Sequence, residues 1–360
     1  MGVETWFYSS ICWLAIGLGA VWKFPYMTAA NGGGGFLLIF LISTILIDFP
    51  LLLAEFALGR SAGVSAIKTF GKLGKNNKYN FIGWIGAFAL FILLSFYSVI
   101  GGWILVYLGI EFGKLFQLGG TGDYAQLFTS IISNPAIALG AQAAFILLNI
   151  FIVSRGVQKG IERASKVMMP LLFIVLPQLF DKMPFGTIFY VLFLFATVTS
   201  SVVMLEINVG NITNQDNSKR AKWSVILGIL TFVFGIPSAL SYGVMADVHI
   251  FGKIFFDAMD FLASNLLMPF GALYLSLFTG YIFKKALAME ELHLDERAWK
   301  QGLFQVWLFL LRFFVSSFRH SNHHHCGLHC PIYVIKKDLS SELRPFLLWM
   351  ANNQFQILPF

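Results

Sequence analysis

The sequence predicts an all-α, polytopic helical membrane protein of about eight or nine spans, and three observations predict it. Of the 360 residues, 57% are hydrophobic and only 12% are charged, against roughly 25% charged in a soluble domain. The mean hydropathy is +0.74, and the apolar residues fall in runs long enough to cross a hydrocarbon core, which takes about 20 residues of helix. The basic residues collect in alternate connections between those runs, the charge asymmetry that orients spans in a bilayer.

The strong runs are 6–26, 36–58, 81–112, 135–153, 185–205, 223–240 and 254–283, with weaker ones at 167–179 and 303–318. The first lacks a basic leading segment, so no cleavable signal peptide is expected there. With the N-terminus cytoplasmic, the inner connections hold sixteen basic residues, among them Arg60, Lys68, Arg155, Arg163, Lys219, Arg220, Lys284 and Lys285; the outer ones hold Lys114, Lys182 and Lys253. The net charge of +7 therefore sets topology, and no nucleic-acid partner is expected. The lipid bilayer is the expected partner, and the plasma (inner) membrane the expected location.

The first run carries its own breakers. Gly17, Gly19 and Lys23 sit inside it, and Asn31-Gly32-Gly33-Gly34-Gly35 follows. Unwound backbone survives at membrane depth only where it lines a cavity enclosed by protein, so a broken first helix predicts a polar binding site near the bilayer midplane. Three cysteines, Cys12, Cys326 and Cys330, do not make a disulfide framework. The last two lie in His323-His324-His325-Cys326-Gly327-Leu328-His329-Cys330, which holds zinc or copper donors but matches no closed finger spacing; incidental composition is the expectation.

With Leu51-Leu52-Leu53-Ala54-Glu55-Phe56-Ala57-Leu58-Gly59-Arg60, Gly156-Val157-Gln158-Lys159-Gly160-Ile161-Glu162-Arg163 and Ala196-Thr197-Val198-Thr199-Ser200-Ser201 added to that broken helix, the chain resembles the neurotransmitter:sodium symporter family, most of all its bacterial amino-acid members. The resemblance runs from about Ala15 to Arg312. It implies an inverted-repeat, leucine-transporter-like fold, incomplete here. The segment Lys166–Val175 resembles the start of the family's fifth helix and runs directly into Leu176–Pro184, which resembles the lead-in to the eighth. Helices six and seven have no counterpart, and losing an even number of spans preserves the alternation of sides. Residues 1–318 are expected to form the bundle, with 319–360 an aberrant tail.

The resemblance also implies site residues. Sodium would be held by the hydroxyls of Thr199 and Ser200, the Ala196 carbonyl, and carbonyls of Trp13 and Ile16 freed by the break. From the residues alone, a Thr-Ser pair in a span reads first as hydroxyls bonding back to the preceding turn. The family's other sodium site offers an asparagine where this chain has Ala20, and is expected to be gone. A substrate carboxylate would meet the N–H groups of Leu18 and Gly19 and the Tyr97 hydroxyl, with Ser200 adjoining. Ala15 would offer a carbonyl to the substrate amine, and Leu93 and Met204 would line the apolar wall. Lys23 and Asp260 match the outer-gate ion pair, or else snorkel separately to the interface. Glu55 and Glu206 brace the sixth helix in the family; here each must be protonated, hydrated or paired elsewhere. Asp48 and Asp257 are embedded without an assigned role.

Two readings of function stay open: sodium-coupled symport of a small amino acid or related amine, and a non-transporting remnant or membrane scaffold of the same family. A third, remote reading is metal handling by the tail. No nucleophile–base pair or phosphate loop is present in the spans, so an enzyme is not expected, and sodium is the only co-transported ion or cofactor implied.

Overall fold

The computed structural model describes residues 24–115, 124–155, 185–214, 216–292, 294 and 298–320. Among them the helices are α1 (Phe24–Ala30), α2 (Gly34–Ala62), α3 (Ala66–Leu73), α4 (Asn80–Leu115), α5 (Tyr124–Ser133), α6 (Pro135–Arg155), α7 (Phe185–Thr213), α8 (Asn217–Leu240), α9 (Phe255–Ile282), α10 (Lys285–Glu291) and α11 (Ala298–His320). A two-residue hairpin, β1 (His249–Ile250) against β2 (Lys253–Ile254), precedes α9. Six helices are long and apolar enough to cross a bilayer: α2, α4, α6, α7, α8 and α9. Each coincides with a strong run in the sequence. The runs at 6–26 and 167–179 lie outside the described residues. The weak run at 303–318 sits in α11, an amphipathic helix that also carries Lys300 and Arg312 and is not among the six.

Two spans contain π turns, and prolines explain two of the three; the third, Phe278–Ile282 at the end of α9, has no proline after it. A proline has no N–H and its ring collides with the carbonyl four residues back. Pro50 follows the π turn Thr44–Asp48 of α2, and Pro269 follows the π turn Phe261–Leu267 of α9. In each case the carbonyl that would be struck, at Leu46 or Asn265, lies within the widened turn. The wider turn carries the helix past its proline. Gly63, with φ of 58°, ends α2 by returning its N–H to the Gly59 carbonyl, the left-handed cap that glycine forms without a Cβ penalty.

The chain forms two compact units, and α4 and α9 contribute to both. In the first, α6 packs against α4 and α8 through glycines. A Cβ on Gly101 would stand 2.4 Å from the Phe145 ring, one on Gly102 2.8 Å from the Ala141 carbonyl carbon, and one on Gly228 2.4 Å from Ile150. Small residues let helix axes approach where lipid supplies no hydrophobic drive. Leu94, Phe145, Val153, Val198, Val202, Leu205, Val209 and Leu227 form the core of this unit.

The second unit has its core in Ala54, Leu58, Phe70, Leu275, Phe278, Phe304, Trp307 and Leu311. Directional bonds fix it. Trp307 Nε1 donates to the Pro50 carbonyl at 2.9 Å. Arg312 donates from Nε and Nη2 to the Gly280 carbonyl at 3.0 and 2.9 Å, satisfying an oxygen at the C-terminal end of α9, where a cation is favoured. Arg60 pairs with Glu291 at 3.0 Å.

Candidate functional site

The hydroxyl-bearing stretch of α7 is the centre of the first unit. Ala196 is fully buried and Thr199 is 3% exposed, with Ser200 half-buried. Thr199 Oγ1 donates to the Ala196 carbonyl at 3.0 Å, and Ser200 Oγ donates to the same oxygen at 3.2 Å. Three neutral oxygens are thus gathered within one turn. Both bonds are the back-bonds to the preceding turn that hydroxyls in a span ordinarily make, and Thr197, Ser201 and Thr213 of the same helix make them too; a small cation here would have to displace both. Residues Trp13 and Ile16, expected to complete the set, lie outside the described residues, as do Ala15, Leu18, Gly19 and Lys23.

Tyr97 is brought to the same region. It is 7% exposed and packs with Ile104 of α4 and Phe193 of α7, one turn before Ala196. Leu93 is half-buried one turn earlier on the Tyr97 face of α4, and Met204 packs at the edge of the α7 core one turn beyond Ser200. Tyr97, Thr199, Ser200 and Met204 therefore share one unit, and Leu93 lies on its Tyr97-bearing segment.

Asp260 is 7% exposed and Asp257 half-buried, one turn apart at the start of α9. Beside them is an aromatic cluster that no motif in the sequence marks. The Phe256 ring lies 5.9 Å from Trp103, 5.5 Å from Phe96 and 5.8 Å from Tyr242. The Tyr242 phenol is pushed above its ordinary range by burial first, then by the charges of Asp257 and Asp260, so it stays a neutral hydroxyl beside two carboxylates.

The embedded carboxylates part ways. Glu206 Oε1 pairs with Arg220 Nη2 across the α7–α8 hairpin, the alternative partner that the sequence required without naming. Its Oε2 and Arg220 Nε are both buried without a partner among the described residues. Glu55 and Asp48 lie exposed on α2, and Asp48 is flanked by the exposed Ile45, Leu46 and Phe49. Two further buried amides carry no flag in the sequence except their spacing of seven in an apolar run. Gln142 is fully buried and donates to Ser98 Oγ at 3.1 Å and the Phe232 carbonyl at 3.5 Å; Asn149 accepts from Ser201 Oγ at 2.6 Å. Among the described residues no group of His, Cys, Asp and Glu could hold a transition metal, and the His/Cys tail lies outside them.

Comparison with known proteins bears on this arrangement. Residues 4–117 match the sodium:neurotransmitter symporter family. The chain is 37% identical to the uncharacterised sodium-dependent transporter YhdH of Bacillus subtilis (strain 168) over 414 residues, covering 84% of this chain and 91% of the relative. It is 34% identical over 98 residues to the sodium-dependent neutral amino acid transporter B(0)AT2 of Rattus norvegicus, covering 27% of this chain and 13% of that one. The crystal structure of MhsT in complex with L-phenylalanine superposes with a TM-score of 0.77 at 27% identity, covering 87% of this chain and 96% of that one.

Proposed function

The chain belongs to the sodium:neurotransmitter symporter family of sodium-dependent transporters, and on that premise we propose that it couples the movement of sodium to that of a small amino acid. It is a multi-pass membrane protein with a leucine-transporter-like fold, and its relatives are transporters rather than enzymes. We place it in the plasma membrane with its N-terminus cytoplasmic, for the sixteen-to-three distribution of basic residues.

The likeness to sodium-dependent transporters supports the reading most; the Ala196, Thr199 and Ser200 oxygens are where sodium would sit, in exchange for the back-bonds they make here. Sodium there would draw the two hydroxyls off the Ala196 carbonyl and, with the carbonyls of Trp13 and Ile16, join α7 to the broken first helix. Coupling then follows from differential binding. An ion that binds the outward-facing state better shifts the population toward it, and substrate that binds only the ion-loaded state is carried with the ion. The substrate carboxylate would lie on the N–H groups of Leu18 and Gly19 near Tyr97. Leu93 and Met204 would face its side chain, and Lys23 and Asp260 would close over it. That MhsT is complexed with L-phenylalanine and the rat relative is a neutral amino acid transporter supports an amino-acid substrate.

A second reading is a non-transporting remnant or membrane scaffold of the same family. The alignment with YhdH runs over 414 residues, more than the 360 this chain possesses, so part of that relative faces a gap. A gap of that size is compatible with the expected loss of helices six and seven near 173–179, and with them half of the substrate pocket. Uptake of labelled neutral amino acids into proteoliposomes decides between the two. Saturable accumulation driven by a sodium gradient supports symport. Absence of accumulation supports the second reading, and most strongly when sodium binding is absent as well.

A further inference from the structure

Asn149 stands within the apolar span α6, where an amide is costly unless its polar ends are bonded. It is 2% exposed, and both ends are bonded. Its Nδ2 donates to the Phe145 carbonyl of its own helix at 2.8 Å, and its Oδ1 accepts from Ser201 Oγ of α7 at 2.6 Å. Only the nitrogen can meet a carbonyl, so the bond within α6 turns the amide oxygen toward α7. Phe145 is itself held, because its ring fills the notch over Gly101 of α4, where a Cβ would stand 2.4 Å away. The acceptor offered to α7 is therefore fixed by two other helices.

Ser201 is set apart from the other hydroxyls of its helix. Thr197, Thr199, Ser200 and Thr213 bond to carbonyls one turn back on α7. Ser201 Oγ also has the Val198 carbonyl at 3.0 Å, yet the Asn149 oxygen is nearer at 2.6 Å. Its single proton thus has an acceptor on a neighbouring helix. Around this bond the core is apolar, with Val198 and Val202 of α7 and Phe145 and Val153 of α6. Apolar burial has no direction, whereas a hydrogen bond weakens steeply off its axis, so the bond selects one rotation of α7 about its own axis. That rotation matters, because Ser201 follows Ser200 by one residue and Thr199 by two, and successive helix residues are about 100° apart. Turning α7 at Ser201 turns the Ala196, Thr199 and Ser200 oxygens with it.

We propose that Asn149 is a positioning residue for the sodium site: through Ser201 it fixes the rotation of α7 at which the Ala196, Thr199 and Ser200 oxygens face the ion. The inference rests on the sodium reading given above, and adds to it a residue on a helix that supplies no ligand. Groups that hold a metal's ligands in place matter about tenfold or more to its affinity. How rigidly oxygen ligands are held also decides which hard cation they prefer. Loss of the bond should therefore weaken sodium binding and blunt the preference for sodium over lithium.

The test is equilibrium binding of radiolabelled sodium to the full chain in detergent, alone and in competition with lithium. Asn149→Leu removes the acceptor at similar volume. Ser201→Ala removes the donor while improving helix propensity, so it reads the bond even if the first variant fails to fold. Each should raise the sodium Kd at least about tenfold and lower the sodium-to-lithium preference. The double variant should be no worse than the worse single, as for two halves of one bond. Gln142→Leu is the control: Gln142 lies about two turns away on the same face of α6 but bonds to Ser98 of α4, and its loss should leave the sodium Kd unchanged. A wild-type Kd in Asn149→Leu and Ser201→Ala would overturn the proposal and leave the sodium reading standing. An equal rise in Gln142→Leu would mark a general loosening of the bundle and overturn the proposal too. No saturable binding by the wild-type chain would overturn both.

Discussion

Gly235→Ala tests the packing account most sharply, because the sign of its effect depends on the structure. In an ordinary helix interior, Gly to Ala gains about 0.8–1 kcal/mol. At Gly235 an added Cβ would lie 2.0 Å from Gln142 Nε2 and 2.6 Å from the Ser95 carbonyl oxygen. The second neighbour is backbone and cannot swing away. The first belongs to a fully buried side chain already bonded to Ser98 and to the Phe232 carbonyl. Overpacking of this kind costs about 1–3 kcal/mol, and each displaced hydrogen bond about 1 kcal/mol more. After the helix-propensity gain is subtracted, a net loss of about 1–4 kcal/mol remains. The assay is reversible unfolding in mixed micelles, with Gly109→Ala as the control, since a Cβ on Gly109 meets nothing within 4 Å. The control should be neutral or stabilising. Adding Gln142→Ala to Gly235→Ala should recover part of the loss, a coupling that only neighbours show. Equal stability of Gly235→Ala and Gly109→Ala would refute the close approach of α8 to α6.

Other substitutions should behave as follows. Arg220→Met should cost about 2–4 kcal/mol in the same assay, because it strands the Glu206 carboxylate; adding Glu206→Gln should restore most of it, and an unchanged loss would sink the pairing. Asp48→Leu should favour insertion of α2 by about 2–3 kcal/mol in a glycosylation-mapping assay, since a mid-span acid costs about that much; no change would mean that Asp48 has a partner in the bilayer. Trp307→Phe should lower stability by about 1 kcal/mol through loss of the bond to the Pro50 carbonyl, and no loss would contradict that bond.

The spans were legible because a bilayer imposes length and apolarity on any crossing helix, and the runs at 36–58, 135–153 and 223–240 lie within α2, α6 and α8. Four of their six ends lie further out, while α6 begins at Pro135 and α8 ends at Leu240 as the runs do. The hydroxyl cluster was legible as residue types, but its convergence on the Ala196 carbonyl is a matter of side-chain rotamers. Local sequence does not set those. The π turns could have been anticipated at Pro50 and Pro269, where an α-helix would collide with its own carbonyl. The Glu206–Arg220 and Gln142–Gly235 contacts were not legible, because each joins different helices and depends on how their faces meet. The sequence marked Glu206 as needing a partner and gave no means of choosing among the basic residues nearby.

The oxygens of Ala196, Thr199 and Ser200 on α7 are proposed to hold sodium. The most direct test is equilibrium binding of radiolabelled sodium to the purified full chain, run beside thermal unfolding in sodium, potassium or choline chloride. Sodium should bind saturably and stabilise the chain specifically, by about 2.7 kcal/mol when the ion is at a hundred times its Kd. Both should be abolished by Thr199→Val and by Ser200→Ala, with membrane insertion unchanged. Equal stability of the wild-type chain in all three salts, with no saturable binding, would contradict that placement of sodium.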